Sequence, residues 1–273
     1  MWVSKKELEK LSDFVRDRSV EQEDIRDNKE GALSRLKNDI YTLVDKQNEQ
    51  LRYTEEQRDI LSGYMADISH QLKTPITSMQ IMADLLADAE PEKQEEFIHD
   101  IKVSLNKMEW LVSALLKMAK LDTDEIEFTK TQENVSTLLA PVKASVDILL
   151  DIHDQTLEIA NDCRIMCDRR WTVEALTNLV KNGIEHSPDG GKIIIDCGEN
   201  PLCYWISVTD SGEGMDRSHC AALFKRFEYS TNQNGYGIGL PLALSIAKGQ
   251  GGDIDVDFGG NGRGATFTLK LFK

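Results

Sequence analysis

The sequence predicts a multidomain chain in which an all-α helical hairpin, dimerising into a four-helix bundle, is followed by an α/β sandwich. Three observations lead there. Leu61, Met65, Ile68, Leu72, Pro75, Met79, Met82 and Leu86 recur in alternating four- and three-residue steps, the seam of helices that pack on one another. A second apolar stripe (Phe97, Ile101, Met108, Leu111, Leu115, Met118) follows the short turn ADAEPEK at 87–93, so the chain doubles back. Beyond about residue 128 the texture changes to strand-like runs, helices and glycine-rich stretches, which marks a domain of mixed class.

The elements follow in chain order. Residues 1–59 read as a helical linker: ELEKLSDFVRDRSVEQEDI is amphipathic and charged, and NKEG at 28–31 breaks it. Leu33, Leu36, Ile40 and Leu43 then resume a helical stripe that turns polar around Gln47–Glu56. The hairpin occupies 60–125. Alone it leaves much of its apolar seam uncovered, so the sequence calls for a homodimer in which two hairpins pair. The α/β domain occupies 129–273, with helices expected around 135–152, 170–186 and 239–250. Strands are expected in KIIIDCG, YWISVTD, DIDVDF and ATFTLKLF, and the glycines crowd the part beyond residue 180.

Composition excludes several classes. The formal net charge is −15, so there is no basic footprint for nucleic acid. An anionic ligand must therefore be held locally, by backbone amides, a metal ion or a few basic side chains. The five cysteines (163, 167, 197, 203 and 220) form no C-x-x-C pair and no zinc spacing, which assigns them to structure in a reducing compartment. No window approaches eighteen consecutive apolar residues, and the start MWVSKKELEK has no hydrophobic leader core.

Within the first hairpin helix, DISHQLKTPITS places His70 between the seam residues Ile68 and Leu72. At about 100° per residue His70 faces away from the seam, beside Lys73, Thr74 and Thr77. Phase removes the reading of a core histidine and leaves a solvated or a reactive one. Pro75 deletes a backbone hydrogen bond and crowds the carbonyl of Gln71, which opens the helix next to His70.

Three stretches of the second domain carry chemistry. EALTNLVKNGIEHS sets Asn178 and Asn182 one turn apart, a spacing that offers two amide oxygens to a hard cation. VTDSGEGM ends a strand in Asp210, followed by Gly212 and Gly214. NGYGIGLPLALSIA runs Gly235, Gly237 and Gly239 into a helix, where glycine amides can cradle phosphate. It is neither a P-loop nor a dinucleotide fingerprint, since Leu240 stands where a third glycine belongs.

In order and spacing, Asn-x3-Asn, D-x-G-x-G and G-x-G-x-G-L resemble the nucleotide-binding set of the histidine-kinase catalytic domain, in the ATPase superfamily shared with gyrase, chaperone and mismatch-repair enzymes. Between them LFKRFEYS resembles the phenylalanine-containing box of that kinase's lid. Upstream, SHQLKTP resembles the phospho-acceptor box of the dimerisation and phosphotransfer hairpin. Over residues 60–273 the chain is therefore similar to a sensor histidine kinase of a two-component system.

The resemblance implies a GHKL-type catalytic fold, ATP and Mg²⁺ as ligands, and a response regulator with a receiver domain as partner. His70 would accept the γ-phosphate. Asp210 would recognise the adenine amino group, with Gly212 and Gly214 shaping the pocket. Asn182 and Asn178 would hold Mg²⁺. Lys181, His186 and Leu240 would complete the nucleotide site, around which Gly235, Gly237 and Gly239 let the lid close. Arg226 would face the transferring group, and Thr74 would orient water to dephosphorylate the regulator. The family is usually membrane-anchored, so the chain reads as the cytoplasmic part of a longer sensor, touching membrane only through segments outside it.

Two departures stand out. Gln71 follows the histidine where the family commonly has Glu or Asp, so that side chain orients the imidazole without taking a proton; Asp67 lies one turn before it. In the Asn helix, Lys181 precedes Asn182 and Glu185 follows it, the reverse of the usual pair. These departures motivate one alternative, a phosphatase-dominated or weak kinase; a reading of a different class is a dimeric ATP-gated interaction module that transfers no phosphate.

Overall fold

The structure, a computed structural model, describes residues 32–87, 89–123, 125–215, 220–227, 237–259 and 264–273. The helix expected before NKEG, the break itself and Gly235 lie outside the described residues. The chain divides into two compact units, Met1–Ser69 and His70–Lys273. Helix α1 (Ala32–Leu86) runs through the stretch that turns polar in the sequence. In the first unit Thr42, Thr54 and Ser69 donate their hydroxyls to carbonyls four residues back, which lets polar side chains sit inside a helix.

In the second unit, α1 ends at Leu86 and α2 (Pro91–Asp122) begins at a proline, whose missing N–H costs nothing in a first turn. Gln94 closes the turn by donating Nε2 to the carbonyls of Ala89 (3.0 Å) and Leu86 (3.3 Å). The hairpin buries little apolar surface along most of its length. Ile81 (55%), Leu85 (52%), Leu105 (52%) and Leu116 (59%) stay open to solvent.

Beyond the hairpin come β1 (Thr131–Asn134), α3 (Val135–Ile152), β2 (Thr156–Ile159), β3 (Arg164–Cys167), α4 (Arg169–His186), β4 (Lys192–Glu199) and β5 (Cys203–Thr209). The short α5 (Cys220–Leu223), α6 (Gly239–Gly249), β6 (Gly252–Asp257) and β7 (Thr266–Phe272) complete the described elements. A five-stranded sheet runs β2-β4-β5-β7-β6, antiparallel except for β2 on β4, and β1 pairs with β3 in a separate antiparallel ribbon.

Strand alternation builds the sandwich. Ile193, Ile195, Ile206, Val208, Phe267 and Leu269 point inward and are buried. Against them lie Leu138 and Val142 of α3, Leu176 and Leu179 of α4, and Ala243 and Ile246 of α6. Leu111, Ala114 and Met118 of α2 belong to this same core. The four long strands and three long helices fall where the sequence expects them. The ribbon strands and β2 are additions: β3 alternates in burial, but runs of four residues are too short to mark a strand in the sequence. Cys163, Cys167, Cys197 and Cys203 are free thiols. No helix among the described residues is long and apolar enough to cross a membrane.

The segment leading into β1 is fixed by α4 and α6. Asp168 caps α4 by accepting from Trp171 N with Oδ1 (3.1 Å), while its Oδ2 accepts from Thr129 N (2.9 Å). Phe128 meets Trp171 edge-on at 6.0 Å. Gln250, fully buried, accepts from Asp168 N at 2.7 Å, and Lys130 donates to its carbonyl. Gln250→Ala strands the buried Asp168 amide and opens a cavity. Urea denaturation is expected to show a loss of about 2–4 kcal/mol, with no loss contradicting this account of Gln250.

Candidate functional site

The site begins at the end of β5. Antiparallel pairing of β5 with β7 sets Thr209 opposite Thr266, and so brings Asp210 beside Ala265. Asp210 is 5% exposed, and its Oδ1 accepts from Gly212 N (2.8 Å) and Ala265 N (3.0 Å). Its Oδ2 takes no hydrogen bond from any described residue. A carboxylate held this way presents one fixed acceptor oxygen, the complement of an amino group on a planar base.

Two glycines make that geometry possible. A Cβ at Gly212 would stand 2.5 Å from the His186 carbonyl oxygen. A Cβ at Gly264 would overlap both the carbonyl and the carboxylate of Asp210. Around Asp210 opens a cavity of about 570 Å³ lined by His186, Ser187, Pro188, Gly214, Met215 and others. Met215 N donates to Phe258 O (2.9 Å), tying the glycine turn to the end of β6.

Burial pushes the Asp210 carboxyl above the ordinary carboxylate range. The amides of Gly212 and Ala265 and the charge of His186 pull in the opposite direction without cancelling it.

The second cluster lies on α4 and the start of α6. Asn178 is buried; its Nδ2 donates to Glu174 O (2.8 Å), and its Oδ1 faces Gly239, where an added Cβ would come within 3.1 Å of it. Asn182, one turn on, has a buried Nδ2 with no partner among the described residues. The partnerless Asn182 Nδ2 is a donor and suits an acceptor such as a phosphate oxygen, whereas the amide oxygens of the two asparagines, one turn apart, are the atoms a hard cation could use. No cluster of three His, Cys, Asp or Glu suited to a metal exists among the described residues. Lys181 is half-buried and Leu240 buried.

The other site residues lie elsewhere. His70 and Thr74 are exposed on α1, Gln71 is half-buried, and none of the three lines the cavity. Thr74 donates its hydroxyl to the His70 carbonyl at 3.3 Å. Phe227 N donates to Gly237 O (3.2 Å), joining the lid box to the start of α6. Arg226 pairs with Asp122, its Nη2 standing 2.7 Å from each carboxylate oxygen.

Sequence reasoning passed over Gly264 and Ala265. Their signal is present: the glycine-rich GGNGRG leads directly into the apolar β7, as the D-x-G-x-G turn leads out of β5. Only the pairing of those two strands shows that the turns share one carboxylate.

Residues 167–273 match the family described as histidine kinase-, DNA gyrase B-, and HSP90-like ATPase. Residues 60–124 match the His Kinase A (phospho-acceptor) domain. Sensor-like histidine kinase SenX3 of Mycobacterium tuberculosis is 30% identical over 190 residues, 67% of this chain and 45% of that protein. Among solved structures, Acinetobacter baumannii histidine kinase AdeS is similar with a TM-score of 0.61 at 22% identity, covering 74% of this chain and 97% of that one. Histidine kinase ThkA, in complex with response regulator protein TrrA, gives 0.65 at 23% identity, covering 83% of this chain and 66% of that one. These two structures share the fold. The chain spans less than half the length of the curated relatives it matches.

The raised Asp210 carboxyl has a consequence for stability. A folded group that holds its proton more tightly than the unfolded chain makes ionisation a cost at neutral pH, and that cost fades as pH falls. Asp210→Asn is expected to melt above the parent at pH 7, the gap closing as pH drops toward about 4. Thermal melts across that range check it, and a variant that melts lower at pH 7 refutes it.

Proposed function

This chain belongs to the sensor histidine kinases of two-component systems, and we propose that it phosphorylates its own His70 from ATP, then passes the phosphoryl group to an aspartate of a response regulator. The observation that carries the reading is the buried Asp210, with one oxygen locked by two backbone amides and the other without a partner among the described residues, beside a cavity of about 570 Å³. Adenine fits it: the exocyclic amino group donates to Asp210 while Gly212 and Gly214 let backbone approach the ring. The triphosphate then extends toward Asn178, Asn182 and the lid.

Mg²⁺, when bound, neutralises phosphate charge and fixes the γ-phosphoryl group for in-line attack. Asn182 and Asn178 would hold it through their amide oxygens, while Lys181 and Arg226 supply further positive charge. A His70 ring nitrogen attacks γ-phosphorus with its lone pair as the bond to the β–γ bridging oxygen breaks. ADP leaves, and the proton on the other ring nitrogen is released. Gln71 orients the imidazole by hydrogen bonding. In the return reaction a receiver aspartate displaces the imidazole, and Thr74, once its hydroxyl leaves the His70 carbonyl, positions water to hydrolyse the acyl phosphate. Catalysis here is positioning and electrostatics.

The apolar residues left open on the hairpin, Ile81, Leu85, Leu105 and Leu116, support pairing of two chains into a four-helix bundle. The free thiols agree with a cytoplasmic location. Gln71 favours a second reading, an ATP-gated dimeric module with little or no kinase activity, because an amide cannot serve as a base.

Incubation with γ-labelled ATP and Mg²⁺ separates the two. An acid-labile, alkali-stable label that disappears in His70→Gln is expected; nucleotide binding without label establishes the module instead. Asp210→Asn turns an amide N–H₂ toward the adenine amino group and is expected to weaken ATP about 10- to 100-fold. The same variant should gain on inosine triphosphate, whose 6-oxo group accepts. Calorimetric titration with both nucleotides reads this, and unchanged preference removes Asp210 from base recognition.

A further inference from the structure

The Arg226 guanidinium is committed to a carboxylate. Its Nη2 lies 2.7 Å from both oxygens of Asp122, and the arginine side chain is only 19% exposed. Asp122 is the last residue of α2. A carboxylate there opposes the helix dipole, so it is poorly placed unless a cation answers it.

The surroundings hold this pair in register. Lys117, one turn and a half earlier on α2, bridges to Glu174 of α4 at 2.8 Å. Leu111, Ala114 and Met118 bury the same stretch of α2 in the core of the α/β sandwich. On the lid side Leu223 is buried, and Phe227 takes a left-handed backbone (φ 64°) while donating its N–H to Gly237 O. A non-glycine residue in that region costs about 1 kcal/mol or more and persists where its neighbours impose it.

We propose that Asp122 is an intramolecular competitor for Arg226: it occupies the guanidinium that the phosphate chain of bound nucleotide takes in the active lid. This rests on the reading of the Asp210 cavity as a nucleotide site with Arg226 on its phosphates. One ion pair is exchanged for another, carboxylate for phosphate, and nothing is consumed. The phosphate chain wins because it carries more charge and several acceptor oxygens in reach of a planar fork. The exchange couples two places. Nucleotide that draws Arg226 away loosens the lid from the end of α2, and a movement of α2 that withdraws Asp122 tightens nucleotide by the same factor.

A partly exposed ion pair is a modest opponent, so the effect is a tuning of affinity rather than a block. In the full chain, Asp122→Asn is expected to raise affinity for Mg-ATP about two- to five-fold and to leave adenosine, which has no phosphate, unchanged. Arg226→Ala is expected to weaken ATP, and adding Asp122→Asn to it should change nothing further. Titration calorimetry of the four proteins with both ligands reads every term. The proposal is overturned if Asp122→Asn leaves ATP unchanged or weaker, if adenosine gains equally, or if the gain survives without Arg226.

Labelling of His70 in the same proteins separates this from the kinase reading. An Arg226-dependent gain in ATP affinity without label keeps the competition and removes the kinase. Label with no gain keeps the kinase and removes the competition.

Discussion

One buried charge organises the α/β domain. Asp210 ends a central strand in an environment that resists ionisation, and among the described residues its hydrogen bonds come from two backbone amides and not from a salt bridge. A salt bridge at that position would consume the acceptor oxygen the site presents. Amides stabilise the carboxylate from one side only and leave Oδ2 for a ligand. The chain accepts an unfavourable buried carboxyl because a fixed acceptor in a cavity discriminates among donors far better than a solvated one does.

The remainder of the site follows from that placement. Gly212 and Gly264 are small because a side chain at either position would strike the backbone or the carboxylate around Asp210. Asn178 faces the start of α6 because α4 and α6 both pack on the sheet whose β5 carries Asp210. Gln250, at the end of α6, also holds the cap of α4 through Asp168, so the two helices that frame the site share one buried hydrogen-bond hub. Thr129 and Lys130 join that hub, which ties the segment after the hairpin to the site's scaffold.

The acceptor side is built on opposite terms. His70 projects from an exposed face of α1 beside a proline that the helix tolerates, and Thr74 satisfies the local backbone while exposed. On the proposed function, a nucleophile that serves a bound nucleotide and then a second protein has to stand in solvent. The Asp210 cavity is built on a buried side chain and the histidine on an exposed one.

Much of this was legible in the sequence, for physical reasons that differ from part to part. The hairpin helices were readable because heptad spacing repeats over many turns, and β4, β5, β6 and β7 because alternating burial repeats along each strand. Asp210, Gly212 and the two asparagines stood out because the order and spacing of their motifs together resemble a known nucleotide-binding set, although no one stretch carries its role alone. The four-residue strands were not, since a strand that short is defined by its partner. Gly264 and Ala265 became part of the site only when β7 paired with β5, more than fifty residues apart in the chain. Arg226 shows the same limit: its charge was plain, but its companion Asp122 lies 104 residues away. The sequence by itself determined the long elements, because periodicity is a property of neighbours along the chain, and it singled out the candidate site residues through motifs whose order resembles a known family. The tertiary structure alone decided which groups share a carboxylate, because hydrogen bonds and ion pairs depend on distances that only strand pairing and helix docking set.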